Sequence, residues 1–164
     1  MITDPYAQDR LALAKALVVL VAGGLLLAAF AFQYWGGLYP CRMCWWQRYA
    51  HIAALAFVGL ALLTGGGRAL VVLAGLAIAA SGAIGIYHVG VELGWFEGFT
   101  ACTSTASGAS VDEILKSIMA APMVRCDDVQ WSWLGVSMAG WNAILSLSFA
   151  LVILWLSLKQ PRTA

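Results

Sequence analysis

The feature that most constrains this chain is a set of four long apolar segments, at about residues 11–34, 45–63, 69–87 and 138–158. A helix needs about 20 mainly apolar residues to cross the hydrocarbon core of a membrane. Only 10% of the 164 residues are charged and 62% are hydrophobic, whereas a soluble domain carries about 25% charged residues. We therefore expect an all-α integral membrane protein: a bundle of four transmembrane helices that forms a single membrane domain over residues 1–164.

The first apolar segment is expected to stay in the protein as a span. The leader before it carries Asp4 and Asp9, and the apolar run is longer than the roughly 7–15 residues of a signal-peptide core. No small-residue cleavage pattern precedes Tyr34. The net charge of +1 gives no reason to expect nucleic-acid binding.

The positions of positive charges and cysteines predict which side of the membrane each loop faces. Four spans place both termini and the turn at 64–68 on one side, together with five Lys or Arg residues close to helix ends. The positive-inside rule then puts both termini in the cytoplasm. All four cysteines fall in the two loops on the other side, at about 35–44 and 88–137. Because disulfides persist in the bacterial periplasm, we expect a multi-pass protein of the bacterial inner membrane.

The first outward loop holds the most informative motif, a pair of cysteines two residues apart, Cys41 and Cys44. Pro40 precedes the pair and the second span follows it. Cys44 is therefore expected in or near the first turn of that helix, where free backbone N–H groups and the helix dipole favour a thiolate. Arg48 lies four residues later on the same helix face, and a charge inside the membrane is costly without a partner.

Three chemical interpretations of this first pair are open. A structural disulfide would link residues so close in sequence that it would stabilise very little. A tetrahedral zinc site would need all four cysteines, yet the second pair is widely spaced. A redox-active dithiol needs neither a stabilising link between distant residues nor the second cysteine pair as ligands, and it is the interpretation that the motif favours.

The second outward loop carries Cys102 and Cys126. The Ser-, Thr- and Gly-rich stretch 100–110 around Cys102 is typical of a flexible loop. Ser110 and Glu113 fit a capping box, and apolar residues follow at helical spacing until Pro122. This pattern predicts a short amphipathic helix on the membrane surface. A structural Cys102–Cys126 link is one interpretation, but two pairs that face one compartment favour exchange of electrons between them.

A few polar and small residues in the spans are further candidates. His88 follows the third span and is either a polar helix end or a site residue, and His51 is a weaker candidate. Asn142 is expected to form hydrogen bonds between helices. Small residues four apart in the third span favour close approach to a neighbouring helix. They are Gly75 with Ala79 and Ser81 with Gly85.

Together these features resemble the disulfide bond formation protein B family (DsbB) over essentially the whole chain. The resemblance rests on the four spans, on Pro40-Cys41-x-x-Cys44 with Arg48 four positions later, and on a long second outward loop with its own cysteine pair. It implies a membrane thiol:quinone oxidoreductase that reoxidises a periplasmic thioredoxin-fold partner similar to DsbA and thereby supports disulfide formation. Arg and Met between the first two cysteines, and 24 positions between the second two (102 to 126), depart from the family pattern and leave the choice of partner open.

The same resemblance implies a role for each candidate residue. The reduced partner would attack the Cys102–Cys126 disulfide at Cys102, and the electrons would then pass to Cys41 and Cys44. Cys44 would face the quinone, either ubiquinone or menaquinone. Arg48 would orient the quinone and stabilise negative charge on it, and His88 would lie nearby. No metal is expected.

Two other kinds of protein share part of this pattern. A membrane scaffold or transporter subunit with structural disulfides would keep both cysteine pairs oxidised when a reduced partner is added. A transporter would also need more polar residues in its spans than Asn142 and His51. An enzyme resembling vitamin K epoxide reductase would carry its quinone-side cysteine pair late in the bundle, whereas Cys41 and Cys44 precede the second span.

Overall fold

The computed structural model of the chain describes residues 5–65, 67–98, 110–113 and 124–159. Four long helices dominate it, and a short antiparallel hairpin comes directly before the last of them. All four helices are long and apolar enough to cross a membrane. This confirms the expected four-helix integral membrane protein. The elements are α1 (Pro5–Tyr34), α2 (Arg42–Leu63), α3 (Arg68–Glu92), β1 (Ser132–Trp133), β2 (Val136–Ser137) and α4 (Met138–Leu158).

The helices bury small and branched side chains between them and turn large apolar side chains outward. Four outward leucines are between 67% and 87% exposed: Leu20, Leu27, Leu63 and Leu151. A soluble monomer rarely exposes large apolar patches, but lipid tails are as apolar as leucine, so outward leucines are expected on a helix surface that faces lipid. The buried side chains that hold the bundle together include Ala14, Val18, Ala54, Val58, Ala74, Ile78, Ala150 and Ile153.

Helix α3 packs closely against α4 through glycines. A Cβ added to Gly82 would lie 2.7 Å from Cγ of Leu147, and one added to Gly85 would lie 3.0 Å from the carbonyl oxygen of Ala139. Gly75 also faces α4 at contact distance. The expected close approach is therefore observed for Gly75 and Gly85, and Gly82 adds a contact that the sequence analysis did not identify.

Among the helix ends that lie outside the bounds expected from the sequence, two matter for the site. Helix α2 begins at Arg42 instead of about 45, so the Cys-x-x-Cys pair is part of its N-terminus. Helix α3 continues to Glu92 instead of ending at about 87. His88 consequently lies one turn inside α3, where the helix backbone fixes its direction.

The hairpin brings the end of the second loop back over the bundle. Its two turn residues, Leu134 (φ 53°) and Gly135 (φ 75°), are both left-handed, as the tight turns that match strand twist require. Just before β1, the Trp131 ring packs on Phe32 of α1 with ring centroids 4.9 Å apart. The loop end is thereby held above α1 and α4.

The amphipathic helix expected in the second loop falls only partly within the described residues. Its first turn is present: the backbone N–H of Glu113 donates to Oγ of Ser110 at 3.3 Å, as the capping box predicts. Residues 114–120, which would form the rest of this helix, and Cys102 lie outside the described residues.

Candidate functional site

Cys41 caps the N-terminus of α2. Its backbone is extended (φ −73°, ψ 176°), and its Sγ accepts a hydrogen bond from the backbone N–H of Cys44 at 3.3 Å. The Sγ atoms of the two cysteines lie 3.0 Å apart. Cys41 is buried and Cys44 is partly exposed. The expectation that Cys44 lies in the first turn of the second helix is confirmed, and the two sulfurs are close enough to exchange a bond.

Cys126 reaches the same place from the second loop. Sγ of Cys41, a ring nitrogen of His88 and Sγ of Cys126 all lie within 4.8 Å of one another, and all three residues are buried. Nearby, the side chain of Gln130 donates to the carbonyl oxygen of Tyr39 at 2.9 Å and links the two loops. Three of the four cysteines therefore meet at one end of the bundle. The two thiols and the imidazole are also donors that a tetrahedral zinc ion accepts.

Among the described residues outside the spans, the thiols of Cys41 and Cys126 both favour their protonated form. The hydrogen bond with Cys44, together with burial, raises the pKa of Cys41 to about 12. Burial is also the main cause that raises the pKa of Cys126. Since the thiolate is the nucleophilic form, neither thiol is a strong nucleophile at neutral pH without help from its surroundings.

Arg48 lies one helical turn below this pair and is only 6% exposed. Its guanidinium donates to the side-chain oxygen of Gln33 and to the carbonyl oxygen of Ala29, the latter at 3.2 Å. It also lies over the rings of Phe30 and Trp45, 4.9 and 5.0 Å from their centroids. Within the described part of the chain, no carboxylate comes within 4.0 Å of it. Dipoles and aromatic faces hold the charge, which leaves it available to an electron-rich ligand.

A cavity of about 390 Å³ opens beside these side chains. Its walls come from all four helices and the two outward loops, and most of the side chains that line it are apolar. Small-molecule sites typically have volumes of about 300–1,000 Å³ and combine apolar walls with a few polar groups. Here the polar groups that face the cavity include Cys44, Arg48 and His88, so the cavity suits a flat apolar ring with polar edge atoms.

Polar side chains form a network between the helices just below the cysteines. The side chain of Gln47 contacts Nδ1 of His88 at 3.1 Å and accepts from Nδ2 of Asn142 at 2.8 Å. Oδ1 of Asn142 in turn accepts from Nε2 of His51 at 3.0 Å, and Ser81 contacts the His51 ring at the same distance. The expectation that Asn142 forms interhelical hydrogen bonds is confirmed.

Gln47 was not predicted as a site residue, and Ser81 was predicted only to pack between helices. A signal was available for Gln47: it lies one helical turn before His51, and two polar residues at that spacing form a polar strip on an otherwise apolar helix. Ser81 carried no comparable signal, because a serine in a small-residue pattern is equally typical of close helix packing.

Comparison with known proteins gives matches to one family. The sequence model of the family of disulfide bond formation protein DsbB matches residues 11–156. The chain is 35% identical over 149 residues to the Disulfide bond formation protein B of Marinobacter nauticus, covering 84% of each chain. The protein of that name from Shewanella frigidimarina is 35% identical over 156 residues, 88% of each chain. The one from Paracidovorax citrulli is 31% identical over 160 residues, 92% of this chain and 90% of the relative.

No solved structure matches the chain significantly. The family match nevertheless includes all four cysteines and Arg48, and the same region folds into the four membrane-spanning helices described above. The chain therefore belongs to the DsbB family of membrane-bound oxidoreductases that form protein disulfide bonds.

Proposed function

We propose that this protein reoxidises a periplasmic thioredoxin-fold partner resembling DsbA and passes the electrons through its two cysteine pairs to a quinone of the bacterial inner membrane. The observation that carries this proposal is the position of Cys41 and Cys44, in the wall of a mostly apolar cavity that Arg48 also faces. A dithiol that lines an apolar cavity at the membrane boundary is placed to pass its electrons to an acceptor that takes two electrons and dissolves in lipid. A quinone has both properties.

The residues around the cavity fit a quinone. The apolar walls suit its ring and tail, and the guanidinium of Arg48 can donate hydrogen bonds to a ring oxygen and attract the charge that develops there. When bound, the quinone, which we take to be ubiquinone or menaquinone, supplies a site for two electrons and two protons. Arg48 and His88 are the residues that we assign to holding it, Arg48 through its N–H donors and His88 as part of the cavity wall.

We assign the two cysteine pairs to different steps of the electron transfer, one with the soluble partner and one at the cavity. We assign Cys102 as the sulfur that the partner attacks: the partner's two thiols become a disulfide as the Cys102–Cys126 disulfide becomes two thiols. These thiols then reduce the Cys41–Cys44 disulfide in the same way, with two electrons and two protons passed on. The short distances among Cys41, Cys126 and His88 support this second exchange. Cys44, less buried than Cys41, is assigned to the cavity side.

The test is quinone reduction by purified full-length protein supplied with a reduced DsbA-like protein. We expect turnover to be lost in Cys44→Ser. In Cys102→Ala, partner oxidation should be lost while a small dithiol still drives quinone reduction. Ser157→Ala, which removes a buried hydroxyl at the other end of α4, is the control and should turn over normally. Undiminished turnover in Cys44→Ser would contradict the assignment, and cysteine pairs that stay oxidised in the presence of reduced partner would indicate a scaffold.

The proposed orientation, with both termini in the cytoplasm, has its own test. A membrane-impermeant thiol reagent should label the reduced outward cysteines in spheroplasts, and a single cysteine introduced at Lys159 should be labelled only after the membrane is opened. Labelling of Cys41 or Cys102 only from the cytoplasmic side would refute the relay, because its sulfurs would then not face the periplasmic partner.

A further inference from the structure

The network below the cysteines contains enough hydrogen-bond acceptors of unambiguous type to orient the side-chain amides of Asn142 and Gln47 and to place the ring proton of His88. The starting point is the backbone carbonyl oxygen of Ser81, which can only accept. The side-chain amide of Asn142 lies 3.3 Å from it, so the group that faces it must be the NH₂. The other end of the Asn142 amide is then an acceptor, and it receives hydrogen bonds from His51 and from Oγ of Ser146 at 3.1 Å.

The orientation of Asn142 determines that of Gln47. The Asn142 NH₂ group is also 2.8 Å from the Gln47 side chain, so the Gln47 atom at this contact must be the oxygen. The NH₂ end of Gln47 therefore points the other way, at Nδ1 of His88, at 3.1 Å. Since an amide NH₂ can only donate, Nδ1 must carry a lone pair and no proton.

The far side of the His88 ring leads independently to the same assignment. Nε2 lies 3.1 Å from the carbonyl oxygen of Cys126 and 3.6 Å from Sγ of Cys41, and the carboxylate of Glu92 is 3.9 Å away. A carbonyl and a carboxylate both accept, so Nε2 must carry the proton. The two sides of the ring thus agree on one tautomer, although they are built from different elements of the fold.

We propose that Gln47 and Asn142 are positioning residues that hold His88 in its Nε2–H tautomer, with its single N–H directed at the backbone carbonyl oxygen of Cys126 and at the sulfur of Cys41. The sulfur of Cys41 gains negative charge whenever a disulfide that contains it is broken, and a fixed N–H donor beside it stabilises that charge. If the tautomer were not fixed, the ring could equally present a lone pair to the sulfur, which would oppose the same step. The amides of α2 and α4 thus support the exchange without touching any sulfur.

The functional part of this inference rests on the proposed relay, but the tautomer can be measured separately. The chain has two histidines, so ¹⁵N-histidine labelling of the full-length reduced protein in detergent gives two sets of ring signals. The set lost in His88→Asn identifies His88. At mildly alkaline pH we expect Nδ1 of His88 to be unprotonated and Nε2 to be protonated. A proton on Nδ1 in the unmodified protein overturns the inference.

Two substitutions test whether the amides impose this state. Gln47→Glu places an acceptor against Nδ1, so both ring nitrogens of His88 should carry a proton under the same conditions. Asn142→Asp should have the same effect indirectly, because a carboxylate would attract the NH₂ end of Gln47 and turn its oxygen toward His88. Wild-type His88 spectra in folded samples of both variants would overturn the inference.

The activity measurement uses a third variant. Gln47→Leu removes the contact with Nδ1. We expect reduction of the Cys41–Cys44 disulfide by the reduced partner, which passes through the Cys102–Cys126 pair, to slow about tenfold, a modest part of what a positioned proton donor contributes. Ser157→Ala should affect neither the His88 spectrum nor the rate. A protein with the expected tautomer that does not reduce quinone would refute the proposed function and leave the tautomer assignment intact. Full activity in folded Gln47→Leu would refute the positioning role.

Discussion

Replacing Arg48 by methionine tests most directly what the cavity is for. The substitution keeps an unbranched apolar side chain and removes one charge that is 94% buried, since Arg48 is 6% exposed. It also removes the donors to Gln33 and Ala29 and the contacts with Phe30 and Trp45. The variant therefore separates the stability of the bundle from the chemistry of the cavity, because the free energy of unfolding and the kcat/KM for the quinone should respond differently to the loss of the guanidinium.

The effect on stability should be small because two terms oppose each other. Leaving the Gln33 oxygen without its donor costs about 1–3 kcal/mol, while removing a buried charge relieves a desolvation cost of several kcal/mol. The effect on function has no such compensation. A hydrogen bond to a charged group contributes about 1.5–3 kcal/mol, and a loss of that size at the ligand lowers kcat/KM for the quinone about 10- to 150-fold. Arg48→Lys keeps the charge without the planar donor fork, so its kcat/KM for the quinone should lie between those of the unmodified protein and Arg48→Met.

The assay follows the fall in quinone absorbance as the quinone concentration is varied, with the reduced partner in excess. Lys159→Met is the matched control, because the Lys159 ammonium also lies over an aromatic ring, 4.5 Å from the centroid of Trp155, but at the other end of the bundle. Normal kcat/KM in a folded Arg48→Met protein would show that the guanidinium does not act on the ligand.

Two further predictions concern packing and thiol chemistry. Gly85→Ala should lower the free energy of unfolding by about 1–2 kcal/mol in a thermal or denaturant titration in detergent, because the new methyl meets the Ala139 carbonyl at 3.0 Å. The control Gly59→Ala, whose new methyl has nothing within 4 Å, should be neutral or stabilising. Equal losses of stability in the two variants would refute the packing argument. In the reduced protein Cys41, with a pKa of about 12, should be alkylated slowly at neutral pH and faster as pH rises. Cys44→Ala removes the main cause that raises this pKa, so peptide mapping should show faster alkylation of Cys41 at neutral pH, and an unchanged rate would contradict the assigned cause.

The agreement between sequence and structure is best where a local rule applies. The position of Cys44 in the first turn of α2 follows from a proline before a helical segment, and the N-cap of Ser110 follows from the glutamate three residues later. Both depend on residues within one helical turn. The end of α3 was placed too early, at Tyr87, because a histidine and later a glutamate lower the hydropathy of a helix that in fact continues to Glu92.

The site itself combines residues that are far apart in the chain. Cys41 and His88 are 47 positions apart, and Gln47 and Asn142 are 95 positions apart. Each of these residues was visible as a polar group in or near an apolar segment. Which of them meet depends on how the four helices are arranged around α3, and that arrangement depends in turn on the contacts of Gly82 and Gly85 with α4.

The amino-acid sequence alone therefore determined that most of the surface of this protein faces lipid, how many spans it has and that a thiol pair lies at a helix N-terminus. Each of these follows from hydrophobicity and short-range hydrogen bonding. Tertiary structure alone decided that Cys126 lies beside Cys41, that Arg48 borders a cavity and that two amides orient His88. The physical reason is that a side chain's contacts across the bundle depend on helix rotation and separation, which result from the packing of all four helices at once.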